Sequence, residues 1–257
     1  MAAQDKNNKD IFEYLLRLAD DRLIIGHRLS EWCGHGPIVE EDIALANIAL
    51  DCIGQATNLL KLAGEVEGEG RGEDDLAYFR EAIDFRNLIM AELPKGDFAF
   101  TIARQFLYSA YSYLLLPKLA ESKYEPLAAQ AAKGLKENQY HLRHSSEWIL
   151  RLGDGTQESH QRVQTALDDL WMYTGEMFEH DDLEQQLVKE GITVKSVELK
   201  PEWKKMVSDI ISQATLKLPA SDIYMMSGGR RGRHSEHLGH LLSEMQILAR
   251  SFPDAKW

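Results

Sequence analysis

The chain has 257 residues, enough for one domain with a large core, and we predict a single domain over residues 1–257. Its formal net charge of -12 argues against nucleic acid and anionic membrane surfaces as partners. Cys33 and Cys52 are its only cysteines, so neither a disulfide framework nor a cysteine zinc site is expected. No uninterrupted apolar run reaches roughly 18 residues and the N-terminus lacks a signal-peptide core, so we expect a soluble cytoplasmic protein without a membrane-spanning helix.

The first predicted elements are two long helices. Residues 1–9 are expected to form a disordered tail, after which apolar residues at helical spacing predict a helix over 10–32. A glycine- and proline-containing turn follows. A second helix is predicted over 40–63, with acidic residues in its first turn and Gly64 placed to end it. Its apolar residues recur every three or four positions and are expected to face the core: Ile43, Ala46, Leu50, Ile53 and Leu60.

A second, polar line runs along that helix. Asn47, Asp51, Gly54 and Asn58 fall at i, i+4, i+7 and i+11, so they share one face. Buried carboxylates and amides are costly unless they find partners. The line is therefore interpreted as a polar seam satisfied by neighbouring helices, or as a metal or substrate site or the remains of one.

The rest of the chain consists mainly of further predicted helices. A charged, glycine-rich loop is predicted over 65–75, followed by helices over 76–93, 98–119, 127–152, 158–189 and 201–217 and a last helix that ends at 251. The charged segment that starts at Glu179 is a candidate interruption of the helix over 158–189. Asp97 is placed to cap the helix that starts at 98. Long helices with short connections are typical of an antiparallel bundle, so we predict an all-α fold with extra C-terminal helices.

A bundle of this kind can hold a carboxylate-bridged di-iron centre, which needs a Glu on each of two helices and Glu-x-x-His on two others. Asp51 and Gly54 stand where one Glu-x-x-His pair is needed, and Glu137 and Tyr140 where the other is needed. His141 lies one place further along. These donors are too few for two irons, so we predict no metal in this chain and interpret Asp51, Glu137 and His141 as vestigial positions.

The segment 227–237, S-G-G-R-R-G-R-H-S-E-H, combines glycines, arginines and histidines. Its histidines, together with His240, do not match the H-E-x-x-H spacing of a zinc site. The arginines precede a helix start and could hold a phosphate or pair with an acidic partner surface, the second of which we favour: Arg230, Arg231 and Arg233.

Five motifs carry a resemblance to a known family: R-L-S-E-W-C-G-H-G-P, D-I-A-L-A-N-I-A-L-D-C-I-G-Q-A, T-I-A-R-Q-F, Y-H-L-R-H-S and G-G-R-R-G-R-H-S-E-H-L-G-H-L-L-S-E-M-Q. From Tyr14 to Trp257 the sequence closely resembles the PaaC family, the C subunits of the bacterial phenylacetyl-CoA epoxidases (ring 1,2-phenylacetyl-CoA monooxygenases). The resemblance implies a ferritin-like fold and a structural, non-catalytic subunit beside a homologous di-iron A subunit. It also implies a B subunit and a reductase carrying FAD and an iron–sulfur centre, in a system that uses O₂ and NADPH to epoxidise the ring of phenylacetyl-CoA.

The resemblance further implies where a CoA thioester touches this subunit. The family's D/Q-F-x-N segment corresponds to Asp84, Phe85, Arg86 and Asn87. A second segment, after a T-x-E-x-F motif, corresponds to Gln185, Gln186 and Leu187. The Arg86 side chain suits a CoA phosphate, whereas the glutamines offer hydrogen bonds only.

Three functional hypotheses follow. The first is a catalytically silent subunit that packs against the A subunit and stabilises it, in aerobic phenylacetate catabolism. The second is an independent metal-dependent oxidase that uses Asp51, Glu137 and His141. The third is a CoA-binding module without a role in subunit folding. Iron content separates the first two hypotheses, and CoA binding by the isolated chain tests the third.

Overall fold

The computed structural model describes residues 2–220 and 222–255, and these residues form helices and connecting turns without any strand. The α-helices are α1 (Ala2–Ser30), α2 (Val39–Glu67), α3 (Glu73–Tyr78), α4 (Ile89–Glu92), α5 (Phe98–Leu119), α6 (Glu125–Gly153), α7 (Gln157–Trp171), α8 (Asp182–Glu190), α9 (Ser196–Gln213) and α10 (Glu236–Ser251). The predicted all-α class is confirmed.

Four long helices make the central bundle. Helix α1 packs along α2, and α5 packs along α6, while α6 also meets α2. Helices α7 and α9 cover α5 and α6, and α4 and α8 lie on α1. Helix α3 lies on α2, and α10 packs against α3 and α4. Buried apolar side chains from the bundle and from the flanking helices belong to one continuous cluster, which includes Leu15, Ile48, Phe106, Trp203 and Leu238.

Helices α5 and α1 test the helix boundaries that were predicted from local sequence signals. Helix α5 has the predicted bounds, Phe98–Leu119, and the Asp97 carboxylate accepts a hydrogen bond from the Phe100 backbone N–H at 2.9 Å. Helix α1 starts at Ala2, so positions 2–9 are helical and the prediction of a disordered tail over 1–9 is wrong there; residue 1 lies outside the described residues. A helix that is nucleated by its packed part extends at little cost.

The buried face of α2 is only partly the predicted one: Leu60 is buried as expected and Ala46 and Ile53 are half-buried, but the other two predicted residues are exposed. Ile43 and Leu50 are 57% and 67% exposed, whereas the core side is formed by Leu45, Ile48 and Cys52. Because α2 is apolar on more than one side, its periodicity alone did not select the buried face. By length and composition α2 also meets the criterion for a membrane-spanning helix, a test that core helices of soluble proteins pass as well.

Helix α2 also runs further than predicted. It continues through Gly64 to Glu67 and ends at Gly68, which has a φ of 74°. Gly68 therefore provides the left-handed cap, and its backbone N–H donates to the Gly64 carbonyl. Gly64 has a different role, because a Cβ there would lie 2.0 Å from the Arg71 carbonyl oxygen.

The predicted helix over 76–93 is wrong: the segment is split into α3, a 3-10 turn at Ala82–Asp84 and the short α4. Carboxylates from other parts of the chain take the backbone N–H groups that a continuous helix would use internally. Asp20 accepts from the Arg86 N–H at 2.8 Å, and Asp21 accepts from the Leu88 N–H at 2.8 Å. Tertiary hydrogen bonding thus overrides local helix propensity.

The predicted helix over 158–189 is likewise interrupted, by a 3-10 turn at Thr174–Phe178 between α7 and α8. Glu176 lies in this turn and is buried, with its carboxylate accepting the backbone N–H groups of Ile89, Gly228 and Gly229 at 2.9, 2.8 and 2.7 Å. The break brings this carboxylate to segments distant in sequence.

Candidate functional site

A seam of three side-chain contacts joins α2 to α6. The pairs are Glu41 with His144 at 2.8 Å, Asp51 with His141 at 3.0 Å, and Gln55 with Glu137 at 2.6 Å. Positions that increase along α2 meet positions that decrease along α6, so the two helices are antiparallel. The seam therefore brings together all three positions interpreted as vestigial ligands, on facing helices of the bundle.

Arg22 of α1 extends the seam into the bundle interior. Its side chain is buried, with only 4% of the residue exposed, and its Nε donates to Gln55 Oε1 at 2.8 Å. A second hydrogen bond goes to the Leu18 carbonyl at 2.7 Å. Gln55 in turn donates from Nε2 to Glu137, so a guanidinium, an amide and a carboxylate form one chain of hydrogen bonds across α1, α2 and α6.

These residues do not fit a di-iron centre. Asp51 is bonded to His141 and Glu137 to Gln55, so the candidate ligands are separated into two pairs. Within residues 2–220 and 222–255 no group of three or more His, Cys, Asp and Glu side chains is arranged to hold a metal ion. The buried Arg22 cation beside them would also repel a divalent ion.

The predicted polar seam along α2 is only partly present. Asn47, Gly54 and Asn58 are exposed to solvent, and the Asn58 amide donates to the Gly54 carbonyl within the same helix at 2.8 Å. Asp51 alone among the four reaches α6. The interpretation of Asn47 and Asn58 as buried packing groups is therefore wrong, because this side of α2 faces outward.

A cavity of about 200 Å³ lies beside Arg22 and opens between α2 and α6. Its apolar floor is formed by leucines of α1, α2, α5 and α6: Leu18, Leu59, Leu116, Leu119 and Leu127. Its polar wall is formed by the hydrogen-bonded side chains of Arg22, Gln55 and Glu137. Leu50 and Gly54 border its opening.

The arginine-rich segment 227–237 turns inward. Arg230 donates to both oxygens of Asp21, at 3.0 and 2.8 Å, and also to the carbonyls of Arg17 and Arg86. Burial raises the pKa of the Asp21 carboxyl, and the Arg230 guanidinium opposes that shift. The interpretation of this run as a phosphate or partner patch is wrong for Arg230, because its cation is used within the chain. Arg231 forms an exposed pair with Glu179 at 3.3 Å.

His234 belongs to the same buried cluster, with Nδ1 2.7 Å from Glu92 Oε2 and Nε2 3.0 Å from the Phe85 carbonyl oxygen. Burial lowers the pKa of His234, but the Glu92 carboxylate and the Phe85 carbonyl outweigh burial and the pKa is raised above 6.5. The His234–Glu92 pair therefore stabilises the fold fully below pH 6.5, and this stabilisation is lost as the pH rises through the folded-state pKa.

We accordingly expect the unfolding free energy of the wild type to exceed that of His234→Gln by an amount that shrinks as the pH rises above about 6.5. Urea titrations of both proteins at a series of pH values on either side of 6.5 measure the difference. His27 has a pKa lowered by burial and acts in the opposite direction, but it is common to both proteins and cancels. A difference that stays constant with pH would show that His234 titrates alike in the folded and unfolded chains.

The residues assigned to CoA contact by resemblance lie at the two ends of one chain of ion pairs. Arg86 Nε donates to Glu13 of α1 at 2.7 Å. Arg17, which is also in α1, donates to Asp181, the N-cap of α8, at 2.6 Å. The two segments thus both adjoin the N-terminal half of α1. Phe85, Asn87 and Leu187 are buried, whereas the partly or fully exposed members of the set are Asp84, Arg86, Gln185 and Gln186.

The fold and the seam define a ferritin-like helical protein whose bundle centre is cross-linked by hydrogen bonds. The family model of the phenylacetic acid catabolic proteins matches residues 1–257, and the chain belongs to this family. A curated relative, the C subunit of 1,2-phenylacetyl-CoA epoxidase from Escherichia coli (strain K12), is 47% identical over 244 residues, which make up 95% of this chain and 98% of the relative. The resemblance seen in the sequence is confirmed.

Proposed function

We propose that this chain is a non-catalytic structural subunit of a multicomponent phenylacetyl-CoA ring epoxidase in aerobic phenylacetate catabolism. In this proposal it binds and stabilises a homologous A subunit that carries the di-iron centre, in the cytoplasm. The relative from Escherichia coli is named as the C subunit of such an epoxidase, which supports this role. The non-catalytic part of the proposal rests on the hydrogen bonds that link Arg22, Gln55 and Glu137. They hold the Arg22 cation beside the side chains that a metal would need as ligands.

The stabilising role follows from linkage. A partner that binds only the folded form stabilises that form, by about 2.7 kcal/mol when its free concentration is 100 times the dissociation constant. The A subunit would gain this free energy from a rigid neighbouring bundle. The B subunit and a reductase with FAD and an iron–sulfur centre complete the proposed complex, which takes its reducing equivalents from NADPH.

The test is a reconstitution of epoxidase activity with and without this chain. We expect the A subunit, even with the B subunit and the reductase, to be inactive or poorly soluble until this chain is added. Full activity without it would refute the structural role.

Iron analysis separates this proposal from an independent metal-dependent oxidase that uses Asp51, Glu137 and His141. We expect less than about a tenth of an iron per chain when it is purified alone from iron-replete cells, since the donor set is not suited to bind iron. The A subunit from the same cells serves as the loaded control. Close to two irons per chain would favour the oxidase.

Contact with a CoA thioester is the narrower part of the proposal. Its support is the common position of the two segments beside α1 and the partial exposure of the Arg86 side chain, 22%. Arg86 already donates to Glu13 and to the Ile83 and Phe85 carbonyls, so a phosphate would share its guanidinium with these acceptors. The buried Phe85, Asn87 and Leu187 would support the contact without touching the ligand.

A further inference from the structure

Helix α2 exposes a continuous stripe on the side turned away from the bundle. We define the α2 outer stripe as Val39, Ile43, Asn47, Leu50, Gly54, Thr57, Asn58, Lys61 and Glu65, all exposed. Val39, Ile43 and Leu50 are large apolar residues with 72%, 57% and 67% of their surface in solvent. Contiguous exposed apolar surface on a folded protein is a mark of an interaction site.

The spacing of the stripe suits a helix as its partner. Apart from the adjacent Thr57 and Asn58, its members recur every three or four positions, which keeps them on one side of α2 for about seven turns. Ile43, Leu50 and Thr57 are separated by seven residues each, the repeat that allows two helices to pack along each other. The stripe therefore offers a long, narrow surface of the shape that another helix fits.

Gly54 is a second and independent observation. It lies in the middle of α2, where glycine weakens a helix relative to alanine. A Cβ at Gly54 would meet nothing within 4 Å, whereas a Cβ at Gly26 or Gly64 would come within 2.8 or 2.0 Å of neighbouring atoms. Packing within this chain thus accounts for Gly26 and Gly64 but not for Gly54. A backbone that approaches α2 closely from outside would account for it.

The stripe does not suit a second copy of this chain. Before Gly54 it is mainly apolar, with Val39, Ile43 and Leu50 and one polar member, Asn47. After Gly54 it is polar, at Asn58, Lys61 and Glu65. Two antiparallel copies that cross at Gly54 would set Leu50 against Asn58 and Ile43 against Glu65. An isologous interface must be self-complementary, and this one is not. The acidic flanks, Glu40 and Glu65, and the net charge of -12 also disfavour an anionic membrane.

We propose that the α2 outer stripe is the docking surface for the A subunit, an inference that rests on the proposed function. The occupant is a helix of that subunit that is apolar opposite Val39–Leu50 and carries basic side chains near Glu40 and Glu65. It crosses α2 at Gly54 and covers the mouth of the cavity beside Arg22, because Leu50 and Gly54 border that opening. Docking thereby removes from solvent the apolar residues that the isolated chain exposes.

The test measures the affinity of the full-length chain for the purified A subunit by calorimetry. We expect Leu50→Gln to weaken the dissociation constant at least tenfold, and Gly54→Leu to weaken it at least as much, because its side chain would hold the two helices apart. Leu248→Gln is the matched control, since Leu248 lies on α10 and is 59% exposed. Thermal unfolding of each isolated variant establishes that it is folded.

The outcomes are distinct. If the wild type binds the A subunit and the two α2 variants bind equally well, the docking surface is wrong and the proposed function stands. If Leu248→Gln weakens binding as much as Leu50→Gln, the assignment to α2 is also wrong. If the wild type does not bind the A subunit at all, both the inference and the proposed function are overturned. A wild-type homodimer that Leu50→Gln converts to a monomer would assign the stripe to a second copy instead.

Discussion

Arg230→Met is expected to lower the free energy of unfolding by about 3–5 kcal/mol, since it leaves a buried carboxylate without its cation. Asp21 is almost completely buried, and Arg230 is the arginine that bonds both of its oxygens. The same substitution also removes hydrogen bonds to the Arg17 and Arg86 carbonyls. For a chain of this size we expect the melting temperature to fall by roughly 10 °C, measured by circular dichroism.

The neighbouring arginine provides the control. Arg231→Met removes an exposed pair with Glu179, and exposed pairs contribute about 0–1 kcal/mol. The double variant Asp21→Leu, Arg230→Met should recover part of the loss, because it removes the unpaired charge along with its partner. Equal destabilisation by Arg230→Met and Arg231→Met would mean that burial of the Asp21 pair contributes nothing to stability.

Two glycines of α2 should respond to alanine with opposite signs. Gly64→Ala is expected to destabilise the isolated chain by about 1–3 kcal/mol or more, since overpacking in a tight site costs this much. Its Cβ would be 2.0 Å from the Arg71 carbonyl oxygen, so the backbone after α2 must shift. Gly54→Ala is expected to stabilise the isolated chain by about 0.5–1 kcal/mol, because alanine restricts the unfolded chain and meets nothing in the folded one.

Urea denaturation of the two variants and the wild type measures both effects in the same helix. Each variant adds one methyl group to α2, so the comparison holds the chemistry constant and changes only the surroundings. Equal destabilisation of both variants would contradict the open space that the structure shows around Gly54. Stabilisation of both would contradict the close approach of the segment after α2 to Gly64.

Much of the fold followed from local signals in the sequence. The stripe of α1, whose members include Leu15, Leu18, Ile25 and Leu29, is buried as expected, and α5 begins after its Asp97 cap. The segment 76–93 could not be predicted in the same way, since its helix is interrupted by Asp20 and Asp21, more than sixty positions away. Such tertiary contacts leave no trace in local periodicity.

The bundle centre was predicted in part. Asp51, Glu137 and His141 were singled out and do lie on the seam between α2 and α6, but Arg22 and Gln55, which link it to α1, were missed. A signal was present: Arg22 falls between Leu18 and Ile25 within the apolar stripe of α1, so helical spacing places a cation on the buried face. Such a residue needs buried acceptors, which the sequence alone does not identify.

The inward position of segment 227–237 has a consequence for the order in which the protein can mature. Arg230 meets Asp21, and the His237 carbonyl meets Arg28, each across 209 residues of chain. At about 5–20 residues per second, a ribosome takes about 10–40 s to add that length. During this interval the Asp21 carboxylate lacks its Arg230 partner. The contacts of α1 with segment 227–237 therefore form only after nearly the whole chain has been made, whereas α1 and α2, which pack along each other, are adjacent in sequence.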